Sequence, residues 1–187
     1  MDNTIRMSVD GALDSIEAYR RTVDGLRELG WKDLELDSKN RGINASFESP
    51  KDIWEILLNF EKDGMYEVQS RSSWKIGNEV SDIVQHLVNK INQGNSTHDF
   101  RMNDKGAFEV RTRTNISEEK EFMKSIKKSM IENIQAYESY VGMLKRFVNI
   151  KPEYLDKETE GFKALMDSNY VPIRNEQEPL ISINLQK

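Results

Sequence analysis

The chain has 187 residues, with 27 lysines and arginines against 32 aspartates and glutamates, and a net charge of −5. This length suits one domain that buries a core without disulfide or metal support. The acidic balance argues against sequence-independent binding to nucleic acid, which needs a basic surface. The chain has no cysteine, which excludes disulfides, thiolate nucleophiles and thiolate metal sites.

The sequence predicts a cytoplasmic protein without a membrane partner. Residues 1–10 lack the basic start and apolar run of a signal peptide. No stretch approaches the ~20 apolar residues that span a bilayer. The absence of cysteine fits a reducing compartment.

The first part of the chain predicts a helix followed by extended segments. Apolar residues recur at intervals of three and four over residues 10–29, which indicates an amphipathic helix, and Gly30 follows as its stop. Residues 31–36 form a short extended candidate. Residues 42–47 alternate between apolar and polar side chains, the period of a half-buried strand.

Residues 52–61 fit the period of a helix and the period of a strand equally well. A Glu-Lys-Asp-Gly turn at residues 61–64, followed by alternation over residues 65–74, favours a hairpin. Ser49 followed by Pro50 is also a good helix start, so a helix is the alternative. We predict the hairpin.

The middle of the chain predicts a second helix and a second hairpin. Residues 80–91 form an amphipathic pattern that Gly94 closes. Residues 97–102 and 107–114 then read as two strands, joined by a turn that ends in Gly106.

Residues 117–148 predict a long helix that ends before Pro152. At 1.5 Å per residue it would run ~45 Å, which is longer than the sheet of a compact domain. Its last apolar side chains should therefore project beyond the sheet and join two copies as a homodimer; they are Val141, Leu144, Phe147 and Val148. The alternative is that the chain folds back and covers them itself, with Leu155, Phe162, Leu165 and Met166.

Beyond Pro152 the pattern predicts a weaker short helix. Residues 180–185 then alternate like a terminal strand, which suits addition to a sheet edge. The chain thus divides into an α+β domain over residues 8–150 and a helical and extended C-terminal extension over residues 151–187. The predicted fold is an antiparallel sheet of about five strands flanked by helices, in the order α-βββ-α-ββ-α.

A sequence signature accompanies this order of elements. The middle helix carries Val88-Asn89-Lys90-Ile91-Asn92, followed by Phe100, a turn at Gly106 and the strand residues 108–110. Helix, strands, helix, hairpin and long helix in this order, with a Val-Asn-x-x-Asn signature, resemble the YbjN family, whose fold is similar to that of class I type III secretion chaperones. Leu26, Gly30 and Trp31 also resemble the start of such a domain. The resemblance covers residues 16–144.

The resemblance implies a binding role rather than a reaction. Its chaperone-like members hold a partner polypeptide on their sheet and helix surfaces and often form dimers. It implies no catalytic residue and no cofactor. Two other classes stay open, namely a structural or inhibitory component of a larger assembly, with a phage or mobile-element origin, and an enzyme with an unrecognised carboxylate site.

The sequence offers few residues for chemistry. His86 and His98 are the only histidines. Both are expected to be solvated surface residues, because no spacing of carboxylates or cysteines supplies the other ligands of a metal site. We therefore predict no metal.

Asn89 and Asn92 are three residues apart on one helical face. We expect a structural role, in which their amides tie the helix end to the following loop, and ligand binding is the alternative. Val88 completes this structural motif.

Four arginines are candidates for partner binding. Arg111 and Arg113 share one strand face, and with Arg71 and Arg101 they predict a basic patch on the exposed side of the sheet. Such a patch suits an acidic segment of a partner protein, whose identity the sequence does not indicate.

Overall fold

The structure is a computed structural model that describes residues 13–94, 97–116 and 120–167. The predicted strand at residues 180–185 lies outside these ranges, and so do the side chains of Leu165 and Met166. Within the described part of the chain, no helix is long and apolar enough to cross a membrane.

The described residues form one antiparallel sheet with helices beside it, so the predicted α+β class is confirmed. The helices are α1 (Ser15–Glu28), α2 (Asn78–Gln93), α3 (Phe122–Leu144) and α4 (Pro152–Asp167), and Lys145–Phe147 form a 3₁₀ turn. The strands are β1 (Glu35–Asp37), β2 (Gly42–Glu48), β3 (Ile53–Phe60), β4 (Met65–Ser72), β5 (Asp99–Met102) and β6 (Phe108–Asn115). Their spatial order is β1-β2-β3-β4-β6-β5, with all neighbours antiparallel.

The strand number differs from the expectation of about five. The additional strand is β1, which has only three residues, all exposed. The extended candidate at residues 31–36 overlaps β1, but three residues are too few for the alternation of apolar and polar side chains to define a strand.

The ambiguous segment 52–61 is a strand, and the helix alternative is wrong. Every second side chain of β3 is buried, from Trp54 to Phe60. The hairpin to β4 closes at Gly64, whose φ of 81° lies in the left-handed region that glycine adopts readily. The turn chemistry identified the element where periodicity did not.

Helix α1 begins later than the apolar pattern indicated. Asp14 is its N-cap, and its carboxylate accepts hydrogen bonds from the backbone N–H groups of Ile16 at 2.8 Å and Glu17 at 2.9 Å. The helix ends at Glu28, and Gly30 follows with a φ of 89°. The predicted stop is confirmed.

The core occupies one face of the sheet. Tyr137 of α3 stacks on Trp54 with ring centroids 4.7 Å apart and also contacts Phe108 at 5.5 Å. Tyr19 of α1 meets Phe60 edge to face at 6.3 Å. The opposite side of the strands carries side chains that α1 and α3 do not cover, and we call it the open face.

The expectation that the end of the long helix projects beyond the sheet is wrong. Val141 and Leu144 are 0% exposed and Phe147 is 1% exposed within one chain, while Val148 is half-buried. Helix α3 ends at Leu144, and Asn149 adopts a positive φ of 57° before α4 begins at Pro152.

The fold-back alternative is what the structure shows. Phe162 of α4 is 3% exposed and meets Phe147 with ring centroids 6.5 Å apart. Leu155 packs against the same core. The apolar stripe is therefore buried by its own chain, and this reason for a homodimer no longer holds.

Candidate functional site

The open face is organised in rows, because directly opposed residues on paired strands point to the same side. One row crosses all six strands, and we call it the central row. In spatial order it consists of Glu35, Asn44, Leu57, Gln69, Arg111 and Asp99.

Three of the four predicted arginines converge on one carboxylate. Glu109 is 1% exposed, although it lies on the open face. Its Oε1 accepts from Arg71 Nε at 3.0 Å and from Asn103 Nδ2 at 2.7 Å, and its Oε2 accepts from Arg101 Nε and Arg111 Nη2, both at 3.0 Å. Each arginine comes from a different strand, so this cluster fastens β4, β5 and β6 together on the open face.

The fourth arginine is paired elsewhere. Arg113 donates from Nη2 to Glu61, and the same nitrogen lies 3.1 Å from Asp63 Oδ2. The hydrogen bond and charge of Glu61 raise the pKa of Arg113 above its ordinary value.

The predicted basic patch is not basic. The four arginines lie on the open face as expected, but they are interleaved with five carboxylates, namely Glu55, Glu61, Asp63, Glu67 and Glu109. Cross-strand register places these opposite charges together, which a single strand's sequence does not reveal. The face therefore offers a surface of mixed charge without an excess of positive charge.

A concavity of about 360 Å³ lies at the β5 end of the central row. Its lining residues are Glu67, Thr97, His98, Asp99, Arg111 and Arg113. Burial raises the pKa of Glu67, and the nearby charge of Glu61 raises it further. The nearest nitrogen of Arg111 is 3.8 Å from Glu67 Oε1, too far for a hydrogen bond that would offset the burial.

The central row also contains unpaired polar atoms. Five side-chain atoms of the described residues are buried without a hydrogen-bond partner, and three of them, Asn44 Oδ1, Gln69 Nε2 and Arg111 Nε, lie in this row. Gln69 is only 3% exposed, although its strand faces solvent on this side. Buried donors and acceptors are nearly always paired in native proteins, so this concentration in one row needs an explanation.

Of the two asparagines in the motif, one has the predicted structural role. Asn92 donates from Nδ2 to Phe100 O at 2.7 Å and accepts from Phe100 N at Oδ1 at 2.9 Å. Val88 is fully buried. Asn89 is exposed, and within the described ranges its side chain accepts only from Gln85 Nε2, at 2.9 Å. Asn92 thus ties the end of α2 to β5, as predicted, and Asn89 does not.

The histidines differ from each other. His86 is exposed, as expected. His98 is half-buried and its Nδ1 lies 2.8 Å from Thr112 Oγ1, so the expectation of a solvated side chain is wrong there. No group of three potential metal ligands occurs within residues 13–94, 97–116 and 120–167.

Two polar clusters lie inside the helix–sheet interface and were missed from sequence. Asp52 accepts from Trp74 Nε1 at 2.7 Å, Lys145 Nζ at 2.9 Å and Tyr137 Oη at 3.1 Å. Burial, and next the charge of Asp52, raise the pKa of Tyr137 well above its usual range. This cluster joins the residue before β3 to α3 and the 3₁₀ turn that follows it.

Asn133 forms the second cluster. It is 0% exposed, and its Nδ2 lies 3.1 Å from Val68 O, 3.0 Å from Val110 O and 2.9 Å from Thr112 Oγ1. Its Oδ1 accepts from Ser70 Oγ at 2.7 Å. The amide therefore fixes α3 over the two central strands.

The residues that distinguish the open face were not singled out from sequence. Glu109 stands between two apolar neighbours, and Gln69 looks like an ordinary solvent-facing strand residue. The alternation of apolar and polar side chains along β4 and β6 indicates that both residues face away from the core. Only the pairing of β4 with β6 places Gln69 opposite Arg111.

Two comparisons with known proteins were made, and neither identifies a relative of this chain. A scan against models of known protein families and a search of curated proteins each found no match. The resemblance to the YbjN family therefore stays a prediction based on the element order and the asparagine signature.

Proposed function

We propose that the protein is a non-enzymatic binding module, chaperone-like or regulatory, that holds a partner polypeptide on the open face of its sheet. The observation that carries the proposal is the central row, in which three polar atoms are buried without a partner. Unpaired buried groups destabilise a fold unless something else binds them. A bound polypeptide supplies both donors and acceptors.

The balance of charge on this face bears on the partner. Because each of the four arginines is paired with carboxylates, an acidic segment gains no net attraction, and we propose a polar, uncharged one instead. We assign the face no reaction, since its four arginines are engaged with carboxylates.

We do not extend the proposal to a homodimer. The four side chains that suggested one are buried or half-buried in a single chain. A cytoplasmic location stays a prediction.

The proposal is tested by selecting peptides on the full-length protein. A library of random 12-residue peptides is displayed on phage and selected on the immobilised wild type. Selected peptides are then measured against a variant whose open face is obstructed at two positions, Ser46→Arg with Glu55→Arg. Ser46 is exposed and Glu55 lies directly opposite it on β3.

A matched control alters charge on α3, away from the sheet. Lys124→Glu with Lys128→Glu changes two side chains that are 82% and 74% exposed. We expect the obstructed variant to lose at least about tenfold in affinity and the control to keep wild-type affinity. Failure to select any peptide, or equal loss in both variants, would contradict the proposed function.

A further inference from the structure

We propose that the central row recognises carboxamide groups, so that the segment it binds carries asparagine or glutamine side chains. This inference rests on the proposed function and specifies its ligand. Its basis is the chemistry of the three unpaired atoms and of the concavity beside them.

The unpaired atoms are two donors and one acceptor. Gln69 Nε2 and Arg111 Nε each have a hydrogen to donate, and Asn44 Oδ1 has a free lone pair. The orientation of the Asn44 amide is set by Glu35, whose Oε2 accepts from Asn44 Nδ2 at 3.0 Å. All three atoms are buried in the free chain, so a ligand reaches them only where neighbouring side chains move aside. It must then present oxygen at one end and N–H at the other.

The spacing of these atoms suits an extended segment that crosses the strands. Gln69 and Arg111 are directly opposed on neighbouring strands, which lie ~4.8 Å apart. Asn44 lies two strands from Gln69 on the same row, a distance of ~10 Å. Three residues of extended chain span about the same distance at ~3.3 Å each. Asn44 and Arg111, the outermost of the three residues, lie three strands or ~14 Å apart, so a segment of about five extended residues reaches both.

The charges around the concavity disfavour a charged ligand. Arg111 and Arg113 line it together with Glu67 and Asp99, so the local formal charges cancel. A carboxylate that approached Arg111 would meet two like charges, and an ammonium group would meet two arginines. A carboxamide supplies an acceptor oxygen and N–H donors without any net charge to desolvate.

The row also shows the expected conflict between stability and binding. A glutamine that is 3% exposed with an unpaired amide nitrogen weakens the free protein. Replacing it with an apolar side chain of similar length removes that penalty. The same replacement removes a donor that the ligand needs.

The first test is Gln69→Met in the full-length protein. We expect its urea denaturation midpoint to rise, and its affinity for the tightest-binding selected peptide to fall by about tenfold, the loss of one buried hydrogen bond. The control is Gln85→Met on α2, where the amide nitrogen already donates to Asn89. That control should keep wild-type affinity. A lower midpoint for Gln69→Met, or unchanged affinity, would overturn the inference.

The second test changes the peptide. Each asparagine or glutamine of the selected peptide is replaced in turn by aspartate or glutamate. We expect at least one of these replacements to weaken binding about tenfold or more. Binding that is equal or tighter for every carboxylate peptide would refute carboxamide recognition.

The two proposals fail in different ways. Suppose that the Ser46→Arg with Glu55→Arg variant loses binding, but Gln69→Met and the carboxylate peptides keep wild-type affinity. Then only the carboxamide inference is contradicted. If no peptide is selected, or the obstructed face binds as well as the wild type, the proposed function falls and the inference falls with it.

Discussion

Asn133 shows how much one buried amide contributes to the position of an element. It is fully buried on α3, and its nitrogen faces backbone oxygens of both β4 and β6. A buried polar group is costly unless it is paired, and here each contact also specifies where the helix sits. The residue therefore fixes α3 at one place along the sheet.

Replacing Asn133 should be strongly destabilising. Asn133→Ala removes the donor to Val68 and Val110 and leaves Ser70 without its acceptor, so we expect the free energy of unfolding to fall by about 2–4 kcal/mol. Urea denaturation measures this. Gln135→Ala, two residues along the same helix and exposed, should change stability by less than about 0.5 kcal/mol. Equal effects of the two substitutions would show that the amide contacts do not matter.

The paired asparagines of α2 provide a second prediction. Asn92→Ala leaves the backbone N–H and C=O of Phe100 without partners, and we expect a loss of about 1–3 kcal/mol. Asn89→Ala should cost less than about 0.5 kcal/mol, because Asn89 is exposed and its side chain bonds to the neighbouring Gln85 on the same helix. Thermal or urea unfolding compares the two. A larger effect at Asn89 would refute the assignment of the structural role to Asn92.

The structural role of some of these residues is predictable from the sequence, and that of others is not. The role of Asn92 was predictable because a side-chain amide at a helix end has only the next segment within reach. The role of Asn133 was not predictable, since its amide nitrogen faces two backbone oxygens and one threonine hydroxyl on strands 21 to 65 residues away in the chain. A helical pattern identifies a polar residue but does not show what it faces.

At the scale of elements, alternation predicted the strands and not their pairing. The exposed side of β6 was correctly identified from Arg111 and Arg113. The carboxylates that neutralise the arginines come mostly from β3, β4 and the β3–β4 turn. Which carboxylate meets which arginine depends on the register between strands. The hydrophobic pattern of a single strand does not show which residues its solvent-facing side chains will meet. The four arginines that predicted a basic patch thus lie on a face of mixed charge in the structure.

Glu67 on β4 makes stability depend on pH in a defined direction. Burial raises its pKa in the folded protein, so the folded state holds the proton more tightly than the unfolded chain does. Stability should therefore fall as pH rises from the ordinary value of 4.5 through the raised folded pKa.

Glu67→Gln should remove this contribution. We expect the variant to be more stable than the wild type at neutral pH, with the difference shrinking as pH falls below the ordinary carboxyl range. Urea denaturation from about pH 4 to pH 8 measures it. Glu153→Gln, at an exposed position, is the control and should follow the wild-type curve. A destabilised Glu67→Gln at pH 7 would contradict the assigned cause.

At the scale of the whole molecule, the chain after α3 determines whether the apolar residues at the end of α3 are exposed or buried. The sequence supported two accounts of the apolar residues after Tyr140, self-association and fold-back. Choosing between them required the direction of the chain between Phe147 and Pro152. That direction depends on a positive φ at Asn149, which only a few residue types adopt and which no apolar pattern encodes.

Burial in one chain changes the expected behaviour of a variant at these positions. Val141→Asp with Leu144→Asp places two charges where the exposed fraction is 0%. The loss should exceed about 4 kcal/mol, a large part of the stability of a typical domain. We expect loss of the folded circular dichroism signal, rather than a folded monomer in light scattering.

The control for this experiment lies on the same helix. Ile131 is 38% exposed, and Ile131→Asp should remain folded. A folded, monomeric Val141→Asp with Leu144→Asp variant, obtained from a dimeric wild type, would restore the self-association account and contradict the packing described above.

The central claim is that the open face of the sheet contacts the bound polypeptide, and site-specific crosslinking tests it most directly. Because the chain has no cysteine, one introduced cysteine carries a benzophenone label at a single known position. Ile53→Cys places the label at a 51% exposed site at the end of β3 on the open face, outside the two obstructed positions, and Lys128→Cys places it on the exposed side of α3. We predict that the selected peptide crosslinks under illumination from position 53 and not from position 128. Crosslinking from position 128 alone would contradict the account.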